Sequence, residues 1–351
     1  MSNRVSLLVP TMNRPGFIER MLRYYSDRGF KGQIWIGDSS TGQYLDRGRA
    51  VVAKYAEVLD IRYREFPGVM NHVCVKWMAE ASDTPYGAYL ADDDFLTHEG
   101  LLESLAFLEG RQEYSAVHGL GTILLVPTSN PSDMPTDANF YAQSTWPEER
   151  ASERIENYMR TGTQPLFALH RMSVVRRMYE HVHEVSEFNI AGELLPAGTS
   201  AISGKIGEID CLTLVRTTHP EVSAIRYRPM VERLLSAEWQ SSVLKTAELL
   251  EEALVRQDGI SAQEAEKVVK GALHEYLARQ IVRSKAPAIS RRVRLRKRIG
   301  TLPGVRSIRD FAQAIKGGTR HRMTLPALTR PQSRDYAYFA PVLASFGPQV
   351  K

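Results

Sequence analysis

Strand-like and helix-like segments alternate along the first third of this 351-residue chain. Short apolar runs predict five strands, which are Val5–Val9, Ile34–Ile36, Ile61–Tyr63, Tyr86–Ala91 and Gly119–Val126. Stretches with apolar residues at helical spacing lie between most of them, as in Phe17, Ile18 and Met21. After the fifth strand, residues 127–150 are rich in Pro, Ser, Thr and Asp, which predicts a long loop or lid. Alternation of this kind predicts an α/β fold with a mainly parallel sheet flanked by helices.

The pattern becomes helical beyond about residue 229. Ser261 and Glu264 form a capping box at the start of one amphipathic stretch, which indicates a helix beginning there. We therefore expect two parts, an α/β domain over residues 1–228 and a helical, basic C-terminal region over residues 229–351.

Three consecutive carboxylates, Asp92, Asp93 and Asp94, follow directly on the predicted strand Tyr86–Ala91. Ligands of open parallel sheets bind at the carboxyl ends of strands, so the position itself indicates a binding site. Adjacent carboxylates repel one another unless a cation lies among them, and oxygen ligands of this kind suit Mg²⁺ or Mn²⁺. The alternative is that they cap the next helix, but Thr97 is better placed for that role. The sequence therefore predicts a cation or ligand site at the triplet.

Polar residues also follow the first two strands. Thr11, Asn13 and Arg14 lie at the end of the first, where Arg14 could pair with a phosphate and Asn13 could instead cap the helix beginning at Pro15. Asp38 ends the second strand and could bind a ribose or base, or form an Asx turn. The first turn has no glycine-rich phosphate loop, which disfavours both a dinucleotide-binding and a P-loop protein.

Three of these segments resemble motifs of one enzyme family when they are taken in order. Val5–Pro15 resembles the opening strand and turn of family 2 glycosyltransferases with the GT-A fold. Ile36–Ser40 is similar to the second-strand motif of that family, although Gly37 replaces the first of its two usual acids. Leu90–Asp94 resembles the metal-binding Asp-x-Asp motif. The resemblance covers roughly residues 3–216 and excludes the helical C-terminal region.

The resemblance implies a nucleoside diphosphate sugar bound over the sheet. The donor-contacting residues that it implies are Pro10, Thr11, Asn13, Arg14, Asp38, Asp92 and Asp93. It also implies a metal ion, Mn²⁺ or Mg²⁺, that stabilises the departing diphosphate. The implied metal ligands are Asp94, Asp92 and His219. A lone histidine before Pro220 can also be structural, and that alternative stays open for His219.

Inverting members of the family use a carboxylate from a later helix to deprotonate the acceptor hydroxyl. Glu193, at the start of a short helical segment, takes that role by resemblance. Glu187 and Asp210 are alternatives, because the usual Glu-Asp pair of the family is absent here. A glutamate in a first helical turn can also be present only for its interaction with the helix dipole. The expected acceptor is a glycan or a lipid-linked sugar of a bacterial surface polysaccharide or glycoconjugate.

The formal net charge of +5 conceals a strongly basic block. Residues 283–322 contain thirteen Lys or Arg and one acid, Asp310, so the rest of the chain is acidic overall. A charge run of this kind is often a solvated face, and here it also predicts peripheral contact with an anionic membrane. Nucleic-acid binding is disfavoured, because no recognition motif and no interleaved aromatic residues accompany the charge.

The sequence contains neither an apolar run long enough to span a membrane nor a secretory signal, which predicts a cytoplasmic protein. The basic block further predicts a peripheral position on the inner face of the membrane. Two other functions remain open. A sugar-phosphate nucleotidyltransferase would have a related fold, but such enzymes normally open with a glycine-rich turn that this chain lacks. A non-catalytic protein that binds a nucleotide sugar is the other alternative.

Overall fold

The computed structural model describes residues 3–220, 230–285 and 319–347, and within them nine strands form one sheet. The strands are β1 (Val5–Thr11), β2 (Gln33–Asp38), β3 (Asp60–Glu65), β4 (Tyr86–Tyr89), β5 (Phe95–Leu96), β6 (Tyr114–Leu125), β7 (Asp137–Tyr141), β8 (Leu169–Arg171) and β9 (Lys205–Thr218). Their order is β3-β2-β1-β4-β8-β6-β9-β5, and β7 pairs with β6.

Helices cover the sheet and continue beyond it. The longer ones are α1 (Pro15–Asp27), α2 (Gln43–Tyr55), α3 (Asn71–Ala81), α4 (His98–Gly110), α5 (Ala151–Thr161), α6 (Met172–Tyr179), α7 (Leu195–Ser203), α8 (Met230–Leu234), α9 (Ala237–Asp258) and α10 (Ala262–Lys285). Short turns of 3₁₀ helix lie at Pro165–Phe167 and Val182–Glu184, and a π-helical turn lies at Ile190–Leu194. The described C-terminal helices are Thr319–Arg322, Leu325–Leu328 and Tyr336–Ala344.

The predicted α/β class with a mostly parallel sheet is confirmed. β1 pairs in parallel with β2 and β4, and β2 pairs in parallel with β3. All of β1 is buried, as expected of a strand covered on both faces. β4 pairs antiparallel with β8, and β8 pairs antiparallel with β6, so β6 runs in the same direction as β4. β9 pairs in parallel with β6 and shares that direction. The carboxyl ends of β1, β2, β4, β6 and β9 therefore meet at one edge of the sheet.

Residues 127–150 are more ordered than the predicted loop. β7 lies within them and pairs antiparallel with β6. Trp146 is buried and exchanges two backbone hydrogen bonds of 3.0 Å with Ile206. Sequence periodicity gives little sign of this strand, since β7 is five residues long and only Ala138 in it is buried. Its pairing depends instead on Gly121–Leu125 of β6, a segment unlike it in composition but opposite it in the sheet.

The C-terminal helices share the core of the α/β part. α10 packs against α5, and α9 packs against α7. Trp239 and Leu250 of α9 and Val269 of α10 are buried in the same hydrophobic cluster as the sheet. The predicted boundary near residue 228 lies outside the described residues, and the division into two domains stays a prediction.

The final described residues return to the sheet. Met323, Leu328 and Phe339 are buried, and the helix Tyr336–Ala344 packs against β9 and α4. Much of the basic block, from 286 to 318, lies outside the described residues, so the predicted membrane contact stays a prediction. Within the described ranges, the helices are too short or too polar for any of them to cross a membrane.

Candidate functional site

The three aspartates lie in the turn that follows β4. The Leu90 amide donates to the carbonyl of Leu8, and the Asp94 amide donates to the carbonyl of Ala91, which closes the turn. All three side chains are largely buried, with 4%, 7% and 0% of Asp92, Asp93 and Asp94 exposed. Because this turn lies at the carboxyl edge of the sheet, the carboxylates face residues that follow β1 and β9.

Asp92 is held by the turn after β1. Its Oδ2 accepts a hydrogen bond of 2.7 Å from the Thr11 hydroxyl. Its Oδ1 forms an ion pair of 2.5 Å with Nη1 of Arg14. Burial raises the pKa of Asp92 to about 7, although Arg14 and Thr11 favour the ionised form. Two of the three polar residues singled out in the first turn, Thr11 and Arg14, therefore lie at the triplet.

Asp93 joins the turn after β1 to the end of β9. Its Oδ2 accepts a hydrogen bond of 2.7 Å from Nη2 of Arg14 and lies 3.1 Å from Nε2 of His219. The hydroxyl of Thr217 and the guanidinium of Arg20 both donate to the Asp93 carbonyl, over 2.9 and 2.7 Å. Burial acts against ionisation, but His219 and Arg14 outweigh it and hold the pKa of Asp93 below its usual range.

Asp94 faces away from this cluster. Its Oδ1 accepts from the backbone amide of Thr217 over 2.8 Å, and its Oδ2 pairs with Nε of Arg216 over 2.9 Å. Burial raises the pKa of Asp94 to about 6, against the opposite effect of Arg216. Both oxygens of a fully buried carboxylate thus have partners within the protein. These contacts tie the triplet to the end of β9, and the implied role of Asp94 as a metal ligand stays a prediction.

A cavity of about 640 Å³ adjoins the triplet at the edge of the sheet. Its walls come from the residues after β1, from α2, from the loop after β6 and from the end of β9. The lining residues are Met12, Asn13, Arg14, Pro15, Gly16, Phe17, Tyr44, Arg47, Ser129, Pro131, His219 and Pro220. Arg14, Arg47 and the first turn of α1, which has no side-chain cap, give it a positive potential. Its size and charge suit an anionic ligand as large as a nucleotide.

Asn13 shapes the entrance to α1 but does not cap the helix. Its φ is 59°, a left-handed conformation that asparagine tolerates better than most residues. Its amide donates to the Ser40 hydroxyl over 2.7 Å, and its Oδ1 accepts from the Thr41 amide over 3.3 Å. The N-cap of α1 is Arg14, so the predicted alternative of a cap at Asn13 is wrong. Asn13 instead ties the turn after β1 to the turn after β2.

Asp38 supports that second turn from inside the protein. It is 2% exposed, and its Oδ1 accepts from the Ser40 amide over 2.8 Å, which is an Asx turn. Its Oδ2 accepts from the Tyr63 hydroxyl over 2.8 Å. The sequence left both an Asx turn and a nucleoside contact open, and the turn is confirmed. Pro10, also predicted to contact the donor, is a buried residue of β1.

The candidate base Glu193 lies in the π-helical turn and is partly buried. Its Oε2 accepts a hydrogen bond of 2.8 Å from Nε2 of Gln164. Burial, Asp94 and Glu193 all raise the pKa values of Tyr89 and Tyr141. Gln164 directly precedes the turn Pro165–Phe167. The Phe167 ring lies 5.6 Å from the Tyr89 ring and 4.6 Å from the Arg216 guanidinium that pairs with Asp94, so a chain of contacts joins Glu193 to the triplet.

The two alternative bases have structural partners. Glu187 is 8% exposed, accepts from the Ile190 amide over 2.8 Å and pairs with Arg233 over 3.1 Å. Asp210 pairs with Arg322 and Arg334, each over 2.6 Å, and so binds the C-terminal helices to β9. Of the three carboxylates, Glu193 has the contacts best suited to a base.

Arg20 is a contributor that the sequence did not indicate. Its guanidinium donates to the carbonyls of Asp93 and Pro131, over 2.7 and 3.2 Å. The Phe346 ring lies 4.4 Å away on one side, and the Phe95 ring lies 5.2 Å away. Burial lowers the pKa of Arg20 to about 10, so it is charged at neutral pH. Phe346 of the C-terminal segment thus contacts Arg20, and Arg20 contacts the triplet. These residues are too far apart in the sequence for a local pattern to predict the contacts.

Comparison with known proteins gives no match to a protein-family model and none to a curated protein. Among solved structures, the chain resembles S. aureus TarS 1-349 in complex with UDP-GlcNAc, with a TM-score of 0.49 and 15% identity over 78% of this chain and 73% of that chain. A longer S. aureus TarS structure gives a TM-score of 0.48 and 14% identity, over 78% of this chain and 44% of that chain. The mannosyltransferase PcManGT from Pyrobaculum calidifontis, in complex with GDP-Man and Mn²⁺, gives 0.39 and 11%, over 97% and 86%. At such identities the likeness concerns the fold alone.

Proposed function

We propose that this chain is a glycosyltransferase that moves a sugar from a nucleoside diphosphate sugar to an acceptor hydroxyl. One observation carries the proposal. A cavity of about 640 Å³ lined by Arg14 and Arg47 opens beside the carboxylate triplet at the carboxyl edge of the sheet, and Glu193 is linked to the triplet through Gln164, the neighbouring Phe167 ring and Arg216. An anionic donor and a candidate base for the acceptor thus have places at one site.

The diphosphate is proposed to bind between Arg14, Arg47 and the first turn of α1. Guanidinium groups are good partners for phosphate oxygens. The helix start contributes the Gly16 amide, because Pro15 has no N–H and the amides of Phe17 and Ile18 donate to the Arg14 carbonyl. Tyr44 is 38% exposed at the cavity wall, where its ring can stack on a nucleobase. Asp38 acts indirectly in this proposal, because it holds Ser40, and the Ser40 hydroxyl fixes the amide of Asn13.

The transfer is proposed to be a single displacement. Glu193 takes the proton of the acceptor hydroxyl, the acceptor oxygen forms a bond to the anomeric carbon, and the bond from that carbon to the diphosphate breaks. The nucleoside diphosphate departs with the electron pair, and the anomeric configuration inverts. The hydrogen bond from Gln164 orients the Glu193 carboxylate for this step.

The metal ion that the resemblance implies meets carboxylates that already have cationic partners. Arg14 binds Asp92 and Asp93, and Arg216 binds Asp94. Within the described residues there is no group of three or more His, Cys, Asp or Glu side chains arranged to hold a metal ion. Arranged in this way, the residues do not fit Mn²⁺ or Mg²⁺, and the proposed step is not routed through a metal.

The acceptor and the cellular site remain part of the proposal. A basic block of thirteen Lys or Arg within 283–322 supports an acceptor at an anionic membrane surface, such as a lipid-linked glycan. Flotation of the full-length protein with vesicles of anionic or of neutral lipid separates membrane contact from a merely solvated face.

Transfer assays test the function directly. The full-length protein is incubated with a panel of nucleotide sugars, and both donor hydrolysis and transfer are measured after a thermal-shift screen has identified the nucleotide that stabilises the fold. We expect Glu193→Gln to lower kcat by roughly 10²- to 10⁴-fold with little change in donor affinity, since only proton transfer is removed. Glu156→Gln, a change at an exposed residue of α5, is the matched control and should keep wild-type turnover.

Two outcomes would redirect the assignment. Release of pyrophosphate from a nucleoside triphosphate and a sugar phosphate would identify a nucleotidyltransferase. Tight donor binding without hydrolysis or transfer to any acceptor would identify a binding protein. Unchanged turnover of Glu193→Gln would remove the base assignment alone.

A further inference from the structure

Arg14 lies where a metal ion would have to bind. Its Nη1 is 2.5 Å from Oδ1 of Asp92, and its Nη2 is 2.7 Å from Oδ2 of Asp93. A divalent cation that bridges Oδ1 of Asp92 and Oδ2 of Asp93, with bonds of roughly 2.0–2.2 Å, would lie where the Arg14 guanidinium is. Arg14 and such a cation therefore exclude each other at this position.

The surroundings of Arg14 fix the guanidinium in one orientation. Its carbon Cζ lies 4.2 Å from the centre of the Phe17 ring, and that ring stacks on His219 with centroids 5.1 Å apart. Nη2 of Arg14 also lies 2.8 Å from Nε2 of His219. Two carboxylates, an aromatic face and an imidazole thus hold a planar cation from several directions.

The held guanidinium still faces the cavity. The side chain of Arg14 is 26% exposed and forms part of the cavity wall. Its contacts with Asp92, Asp93 and His219 involve at most three of the five N–H donors that an arginine has, since Nε2 of His219 either accepts from Arg14 or donates to Asp93. Donors therefore remain for phosphate oxygens, and binding them does not require Arg14 to leave its carboxylates.

The charges of the cluster are nearly balanced without a metal. Arg14 and Arg216 offset two of the three aspartate charges, and His219 lies within 3.1 Å of Asp93. A divalent cation would add two positive charges to this cluster next to a guanidinium. With the Arg14 guanidinium in place, the cluster needs no positive charge from a metal. The guanidinium is already in position when negative charge develops on the leaving diphosphate.

We propose that Arg14 serves as the built-in cation of this site and stabilises the departing diphosphate without a divalent metal. The inference rests on the proposed glycosyl transfer. When the bond between the anomeric carbon and the diphosphate breaks, the electron pair stays on the diphosphate oxygen, and N–H groups of Arg14 donate to that diphosphate. Asp92 and Asp93 are positioning residues in this account, because they act through Arg14.

Manganese binding and transfer together test the proposal. Binding of Mn²⁺ to the full-length protein is followed by the paramagnetic resonance signal of the free ion, and transfer is measured in chelator and with added Mn²⁺. Wild type should bind no Mn²⁺ at the triplet and should transfer at the same rate in chelator. Arg14→Ala should lower kcat by roughly 10²- to 10³-fold in chelator, gain Mn²⁺ binding at the vacated carboxylates and recover part of its rate with Mn²⁺.

Two further variants keep the result decisive. Arg47→Ala removes an exposed cation of the same cavity that forms no hydrogen bond or ion pair with the triplet, so it should raise the donor KM without creating a Mn²⁺ site. Arg14→Lys is the variant to use if Arg14→Ala fails to fold. It keeps the positive charge but loses the planar guanidinium that reaches both carboxylates. It should exclude Mn²⁺ and lower kcat about 10-fold.

Some outcomes would overturn the inference. Tight Mn²⁺ binding by wild type, loss of wild-type transfer in chelator, or wild-type turnover of both Arg14 variants in chelator would each contradict it. If no donor is transferred at all, the proposed function fails, while the Mn²⁺ measurements on wild type and Arg14→Ala still decide whether Arg14 occupies the cation position.

Discussion

Two arginines pair with one run of three aspartates, and they lie in different surroundings. Arg14 bridges Asp92 and Asp93 at the wall of the cavity. Arg216 pairs with Asp94, which is fully buried, and its guanidinium packs 4.6 Å from the centre of the Phe167 ring. Consecutive carboxylates of the same type have thus been divided between a ligand-facing pair and an internal one.

The turn after β4 explains the division. Asp94 accepts from the Thr217 amide and is directed toward β9, while Asp92 accepts from Thr11 and is directed toward β1. The first contact fixes the end of one strand to the triplet, and the second positions a cation beside a cavity. A motif of adjacent acids therefore does not assign a role to each acid, because the role follows from the strand that each one faces.

The largest expected effect is the loss of the internal pair. Asp94→Ala leaves Arg216, whose side chain is 28% exposed, without its carboxylate and the Thr217 amide without its acceptor. The two losses together should cost about 3 kcal/mol, the lower end of the range for a broken buried pair. We expect the free energy of unfolding in urea to fall by that amount. Asp46→Ala is the control, since Asp46 pairs with Arg49 on the surface and should change stability by at most about 1 kcal/mol. Equal effects of the two substitutions would mean that Asp94 has no architectural role.

His170 extends the comparison to a buried titratable side chain whose hydrogen-bond partners are neutral. It lies in β8 and contacts the Ala168 carbonyl and the Ser200 hydroxyl, each over 2.9 Å. Burial lowers the pKa of His170 to about 4, against about 6.5 for an unfolded chain. Its contribution to stability is therefore complete above pH 6.5 and is lost as the pH falls from 6.5 toward 4.

The expected loss from this one histidine is about 3 kcal/mol between pH 6.5 and 4. The measurement is the difference in unfolding free energy between wild type and His170→Gln across that range, because the difference cancels the other titrating groups. His183→Gln, at an exposed position, should leave the pH dependence of wild type unchanged. A His170→Gln difference that does not vary with pH would show that a buried group in this sheet can become charged at little cost.

Local patterns in the sequence predicted much of the fold. The apolar run of β1, the start of α1 at Pro15 and the Thr97 cap, whose hydroxyl accepts from the Gly100 amide, all depend on residues a few positions apart. The place of the triplet at the carboxyl edge of the sheet followed from the order of the strands. These features are confirmed.

Contacts between distant residues could not be predicted in this way. Arg216 meets Asp94 across 122 positions, and the C-terminal Phe346 reaches Arg20 across the whole chain. Neither arginine belongs to a motif, and only the packed sheet brings their partners together. Arg14 was expected to meet a phosphate, but its two carboxylate contacts were not expected. The roles within the triplet therefore needed the tertiary structure, whereas its position did not.

The smallest effect on stability and turnover is expected for a change at Thr217, which lies between the Arg14 pair and the Arg216 pair and contacts both Asp93 and Asp94. Thr217 donates its amide to Asp94 and its hydroxyl, over 2.9 Å, to the carbonyl of Asp93. Thr217→Val keeps the amide bond and the side-chain shape but removes the hydroxyl, so stability should fall by about 1 kcal/mol. Because the Asp93 carbonyl also accepts from Arg20, the turn should keep its position and Arg14 should keep its carboxylates. Donor affinity and kcat are then expected to stay at wild-type values in the assays of transfer. A marked loss of turnover in this variant would show that the internal and ligand-facing pairs are coupled through Thr217, and the division between them would have to be given up.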